Sequence, residues 1–122
     1  MQVEQVLAAL SALRIPPGVE ELQLHALVAQ GLAQAGIPCA HEARLAPRCR
    51  IDFFCDGVGI EIKCGKPDRR SLMAQLIRYA ACPQVEALVV VVARSVRLPD
   101  TVGGKPCHFV GLNRLWGIAL SI

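Results

Sequence analysis

The stretch Arg50-Ile51-Asp52-Phe53-Phe54-Cys55-Asp56-Gly57-Val58-Gly59-Ile60-Glu61-Ile62-Lys63 decides how the chain is read. Asp56-Gly57 is a favoured two-residue hairpin turn, and it is flanked by β-branched and aromatic residues suited to strands. The pattern predicts strands over 49–55 and 58–64. Counting back from the turn pairs Cys55 with Val58, Phe54 with Gly59, Phe53 with Ile60 and Asp52 with Glu61, and sets Arg50 against Lys63. Side chains alternate along a strand. Ile51, Phe53 and Cys55 are therefore expected to share one face with Val58, Ile60 and Ile62. Arg50, Asp52 and Phe54 are expected on the other, with Gly59, Glu61 and Lys63.

Outward from the hairpin, Cys39–Leu45 reads as a preceding strand, turned by Ala46-Pro47. Before it, a helix is expected over about 19–35, with Gly36 as its C-terminal cap and Pro38 beyond. A shorter helix over 2–13 is stopped by Arg14-Ile15-Pro16-Pro17-Gly18. After the hairpin comes a loop, Gly65-Lys66-Pro67-Asp68, then a third helix over 69–81. Ala87-Leu88-Val89-Val90-Val91-Val92-Ala93 is a continuous apolar run of strand length, as expected of a strand buried on both faces. Pro99 to Pro106 reads as a loop, Cys107–Val110 as a short strand and Asn113–Leu120 as a final helix. The order is α-α-β-β-β-α-β with a small β and α at the end. That order makes an α/β (α+β) domain, a mixed sheet flanked by helices.

The chain has 122 residues, of which 53% are hydrophobic. It fits one domain with one core, 1–122. Net charge is +3, from 13 basic and 10 acidic residues, which does not by itself indicate nucleic acid. The distribution is more telling, because Arg44, Arg48, Arg50, Lys63, Lys66, Arg69, Arg70 and Arg78 all fall in the central third. None of the six cysteines forms a C-x-x-C pair, so they are expected to be reduced thiols in a cytoplasmic protein. No apolar run approaches membrane-span length, and no signal-peptide pattern opens the chain. Gly103-Gly104-Lys105 lacks the spacing of a phosphate loop. His25, His41 and His108 are scattered and read as structural or exposed residues.

The hairpin register sets two carboxylates opposite each other, a destabilising arrangement for like charges unless a cation intervenes. Lys63 and Arg50 are one step away on the same face. A divalent ion would compensate more strongly, since Mg²⁺ takes one or two carboxylates and completes its octahedron with water. The competing reading is a solvated salt-bridge cluster of Arg50, Asp52, Glu61 and Lys63. Phe54 on the polar face, the space over Gly59 and the helix that follows the hairpin all weigh against an open surface there. Whether Glu42 reaches the site or pairs with Arg44 is left open.

Asp52, eight residues, then Glu61-Ile62-Lys63 resembles the D-(X)n-E-X-K core of the PD-(D/E)XK nuclease superfamily. The superfamily includes restriction enzymes, Holliday-junction resolvases and lambda-type exonucleases. Its restriction-endonuclease-like αβββαβ core matches the order read above over roughly residues 19–93. Ile51 stands where the family usually has Pro. Gln75 and Tyr79 form a Q-x-x-x-Y run similar to that of the exonuclease-like branches. They are expected on the flank of a third helix buried through Leu72, Met73, Leu76, Ile77 and Ala80.

The resemblance implies a DNA-cleaving enzyme with little sequence specificity. Asp52 and Glu61 would hold Mg²⁺ or Mn²⁺, with the Ile62 carbonyl as a further ligand. Lys63 would orient the attacking water or stabilise charge in the transition state. Arg50, Lys66, Arg69, Arg70 and Arg78 would grip the phosphate backbone. A homodimer is expected by analogy with the junction-cleaving branch. Relatives add a Glu from the first core helix, and the Glu-x-x-x-His run at Glu21 and His25 is similar. Helical geometry turns Glu21 inward more than Glu20. The alternative is a nuclease fold that binds DNA, or serves as a regulatory subunit, without turnover.

Overall fold

The computed structural model describes residues 2–93 and 96–112. The expected helix Asn113–Leu120 lies outside them. Three helices and six strands are described: α1 Gln2–Ser11, α2 Glu21–Gln34, β1 Ala40–Ala46, β2 Cys49–Cys55, β3 Val58–Lys63, α3 Arg69–Ala80, β4 Ala87–Val92, β5 Thr101–Val102 and β6 Lys105–Gly111. The strands form one open mixed sheet in the order β1-β2-β3-β4-β6-β5. β1, β2 and β3 are antiparallel neighbours, β3, β4 and β6 run parallel, and β5 pairs antiparallel with β6.

Every residue of β4 is buried, because the strand lies at the centre of the sheet with helices over both faces. One face carries Phe53, Cys55, Val58, Ile60, Ile62, Val89 and Val91 against α1 and α2. The other carries Ile51, Leu88, Val90 and Val92 against α3. α2 opens with the Glu20 N–H donating to the Gln23 side chain at 3.1 Å. It closes at Gly36, whose φ of +74° suits glycine. α3 opens on Asp68, whose carboxylate accepts from the Ser71 N–H at 3.1 Å, the usual satisfaction of a first-turn donor.

Residues 99–106 are not a plain loop: Gly103 and Gly104, both at positive φ, turn a hairpin between β5 and β6, as adjacent glycines permit. Cys39 and Cys55 are not thiols. The β1–β2 register brings them together with Cα atoms 4.4 Å apart, and they form a disulfide. Cys49, Cys82 and Cys107 are buried thiols.

The faces of β2 also depart from the expected alternation. The predicted pairs Phe53–Ile60, Phe54–Gly59 and Cys55–Val58 are present. Ile51, however, packs on the α3 side while Phe53 packs on the α2 side. Strict alternation therefore breaks at Asp52, across from Glu42, whose φ is +51°. Ile51 instead covers Gly59: a Cβ on Gly59 would stand 2.7 Å from Ile51 Cδ1. The space expected above that glycine is filled by a core side chain.

Candidate active site

The break at Asp52 makes a fork. The paired registers of β2 and β3 end at Phe53–Ile60. Beyond that point Asp52 Oδ2 accepts the Ile62 N–H at 2.7 Å, so a carboxylate takes the place of a strand carbonyl. Within a strand, the N–H and C=O of one residue point to the same edge. The Ile62 carbonyl is thereby directed into the fork as well. The Lys63 carbonyl points the other way and accepts from the Ala93 N–H at 3.2 Å.

On the α3 side of the fork stands Glu61, only 5% exposed. Its Oε2 lies 3.2 Å from Lys63 Nζ, and its Oε1 accepts from the Tyr79 hydroxyl at 3.0 Å. Burial, then the nearby Asp52 charge, raise the Glu61 pKa above the ordinary carboxylate value, against the lowering influence of Lys63 and Tyr79. The same Tyr79 hydroxyl lies 3.1 Å from the Arg50 carbonyl. One hydroxyl proton thus faces two acceptors. When Glu61 holds a proton, it can donate to Tyr79 and release the hydroxyl to Arg50. When Glu61 is ionised, it competes for that hydroxyl. Burial, followed by the Glu61 charge, pushes the Tyr79 phenol far above its usual range, so Tyr79 acts as a donor and not as a base.

Tyr79 is more central than its sequence position suggested. α3 buries Leu72, Leu76, Tyr79 and Ala80, while Ile77, expected in the core, is 53% exposed. The buried stripe is rotated by about 50°, half the turn between successive residues, and that rotation carries Tyr79 from the flank onto Glu61. Gln75, one turn earlier, is half-buried.

On the α2 side the structure gathers residues that sequence reasoning set apart. His25 is buried in α2, and its Nε2 lies 3.9 Å from Asp52 Oδ2. Its Nδ1 lies 3.0 Å from Nε2 of His41 on β1. Glu21, expected to project inward, is exposed in the first turn of α2. It stands one turn before His25, and the imidazole rather than the carboxylate meets Asp52. The spacing of four residues was the available signal. It correctly placed Glu21 and His25 on one side of the helix but did not say which would be deep enough. A cleft of about 320 Å³ bordered by Leu32, Ile37, Cys39, His41 and Phe53 lies beside this pair and does not include the acidic residues.

Two carboxylates and a strand carbonyl at one fork are a donor set of hard oxygens, which suits Mg²⁺ completed by waters. Among the described residues, no three His, Cys, Asp or Glu side chains are grouped to hold a metal ion. A cation here would therefore rest on the two carboxylates, the Ile62 carbonyl and solvent.

The predicted basic residues lie at the surface. Arg50, Lys66, Arg69, Arg70 and Arg78 are exposed, and Arg69 Nε donates to the Arg97 carbonyl at 2.8 Å. Arg44 and Arg50 are direct cross-strand partners, and Arg48 sits in the turn between them at φ +60°. Like charges in that position repel, and the β1–β2 tip gathers three arginines, the nearest two residues from Asp52. Against family models, characterised proteins and solved structures alike, the chain has no significant match.

Proposed function

We propose that the chain is a metal-dependent nuclease of the restriction-endonuclease-like type, hydrolysing DNA phosphodiester bonds with little sequence specificity. The observation that carries this reading is the fork. Asp52 is seated on the Ile62 N–H at 2.7 Å, beside a buried Glu61 that pairs with the half-buried Lys63 at 3.2 Å. Asp52, Glu61 and the Ile62 carbonyl would hold Mg²⁺ or Mn²⁺. Bound there, the ion's chemistry would be polarisation of the scissile phosphate and acidification of the attacking water. Lys63 is the group available to orient that water and to stabilise charge developing on the phosphate. Tyr79 steadies Glu61, and the arginine-tipped β1–β2 turn with Lys66, Arg70 and Arg78 supplies backbone contacts that carry affinity without base identity.

A second reading is favoured by one observation: both Glu61 oxygens already have partners, Tyr79 and Lys63. On that reading the acidic pair is structural, and the domain binds DNA or protein without turnover. Incubation with linear, nicked-circular, branched and single-stranded DNA plus Mn²⁺, with EDTA as control, separates the two. Calorimetric Mn²⁺ binding that disappears in Asp52→Ala supports the nuclease. DNA affinity indifferent to metal, with no cleavage of any substrate, supports the binding module.

A further inference from the structure

His41 lies outside the acidic site, yet one side chain joins it to Asp52. Its ring is stacked on Phe53, with centroids 4.6 Å apart and planes at 23°. That packing aims Nε2 at His25 Nδ1, 3.0 Å away. His25 is 8% exposed and packs its own ring against Phe53 at 5.9 Å. Its remaining nitrogen, Nε2, faces the Asp52 carboxylate at 3.9 Å.

A neutral imidazole carries one N–H and one lone pair, and the partner of each nitrogen decides which is which. A lone pair on His25 Nε2 would face the negative Asp52 oxygen, whereas an N–H there is attracted to it. With Nε2 protonated, Nδ1 must accept, and the donor on the other side of the 3.0 Å contact must be His41 Nε2–H. The chain of donors then runs in one direction, from the exposed ring inward to Asp52.

We infer that His41 is a positioning residue. It fixes the Nε2–H tautomer of His25, which holds Asp52 Oδ2 in place on the Ile62 N–H and leaves Oδ1 as the oxygen offered to a ligand. The tautomer assignment stands on the geometry of the two imidazoles, while its consequence for cation binding rests on the nuclease reading above. Partners that orient a ligand from behind typically change metal affinity or activity by about 10- to 100-fold when removed.

The test is a long-range ¹H–¹⁵N correlation spectrum of histidine-labelled protein, recorded without metal where the imidazoles are neutral, together with Mn²⁺ titration. His25 in the native protein should give the Nε2–H pattern; an Nδ1–H pattern overturns the inference, and this spectrum needs no variant. His41→Phe keeps the stack on Phe53 but removes the donor. It should populate the Nδ1–H form of His25 and weaken Mn²⁺ binding about tenfold. His41→Gln, whose amide N–H reaches about as far as Nε2–H, should restore both. A tautomer unmoved in His41→Phe, or one that moves with unchanged Mn²⁺ affinity, refutes the positioning role. If Asp52→Asn leaves Mn²⁺ binding intact, the cation reading fails, while the tautomer result still decides the His41–His25 relation.

Discussion

Asp52 and Glu61 carry the same charge on adjoining strands, but the two sides of the sheet treat them differently. Asp52 has a side chain 23% exposed and accepts the Ile62 N–H at 2.7 Å, with the His25 imidazole 3.9 Å away on the α2 side. Glu61 has a side chain 7% exposed and is held by a phenol from the α3 side and by Lys63. The first is anchored by a backbone N–H and remains accessible; the second is desolvated, so its charge is costly unless compensated. A pair of this kind offers one oxygen donor ready for a ligand and one whose ionisation a cation would favour. If the contrast is functional, the two residues should respond differently to the same perturbations.

The largest effects test whether both carboxylates belong to one machine. Asp52→Ala, Glu61→Ala and Lys63→Ala should each abolish DNA cleavage while the circular-dichroism spectrum stays native. The first two should also remove Mn²⁺ binding, and Lys63→Ala should leave it in place. Folded variants that still cleave near the native rate would dissolve the comparison altogether.

Next in size is Tyr79→Phe. It strips a buried carboxylate of its hydroxyl donor, and hydrogen bonds to charged groups contribute about 1.5–3 kcal/mol. Urea unfolding should register a loss of that order, with cleavage lowered and Mn²⁺ binding retained. In a Glu61→Gln background the loss should shrink, because the partner no longer carries charge. Equal losses in both backgrounds would show that Tyr79 serves the Arg50 carbonyl instead.

Glu61→Gln itself should abolish activity yet raise stability at neutral pH. Burial lifts the folded-state Glu61 pKa above its ordinary 4.5. The carboxyl therefore contributes stability that is full below that value and is lost as pH rises through the raised one. Native protein should weaken across that window, and Glu61→Gln should flatten this part of the curve. Mn²⁺ should restore stability to the native chain alone, by mass action on the folded form. A native curve that rises over the same window would mean that Lys63 and Tyr79 outweigh burial.

The antiparallel part of the sheet and its hairpin register were legible because period-two alternation and Asp56-Gly57 are local signals. The apolar run over 87–93 marked a strand buried on both faces, as β4 is, whereas its parallel pairing with β3 carries no local sequence signal. The breakdown at Asp52 was not legible. It depends on a carboxylate replacing a ladder acceptor for Ile62 and on Ile51 filling the gap over Gly59, both tertiary events between residues about ten apart. The histidine pair was hidden for a similar reason: β1 and α2 bring together side chains separated by 16 positions. Glu61, Lys63 and Tyr79 were all identifiable as candidates, but the contact between Glu61 and Tyr79 required knowing the rotation of α3.

The arginine tip should act by degree. Arg44→Ala and Arg50→Ala, measured in EDTA so that cleavage plays no part, should each weaken DNA binding similarly across sequences. Each should also lower the salt slope of log K by about 1. An unchanged slope would move the backbone contact away from β1–β2 and toward Lys66, Arg70 and Arg78 on the α3 side.

The smallest effect belongs to the carboxylates at the start of α2, and it bears on the asymmetry between Asp52 and Glu61. Sequence similarity favoured Glu21 as an additional acidic ligand, which would make the α2 side as acidic as the α3 side. In the structure Glu21 is exposed in the first turn, and His25 occupies the position facing Asp52. An exposed carboxylate at a helix N-terminus interacts favourably with the helix dipole, weakly and in a salt-sensitive way. Glu21→Gln should therefore change cleavage by less than about twofold and lower the thermal midpoint only slightly, an effect that added salt diminishes. Glu20→Gln should behave alike, since the Glu20 backbone N–H still donates to the Gln23 side chain at 3.1 Å. A tenfold loss of cleavage confined to Glu21→Gln, with weakened Mn²⁺ binding, would bring a third carboxylate to the fork when the ion is bound. The α2 side would then no longer be the neutral one.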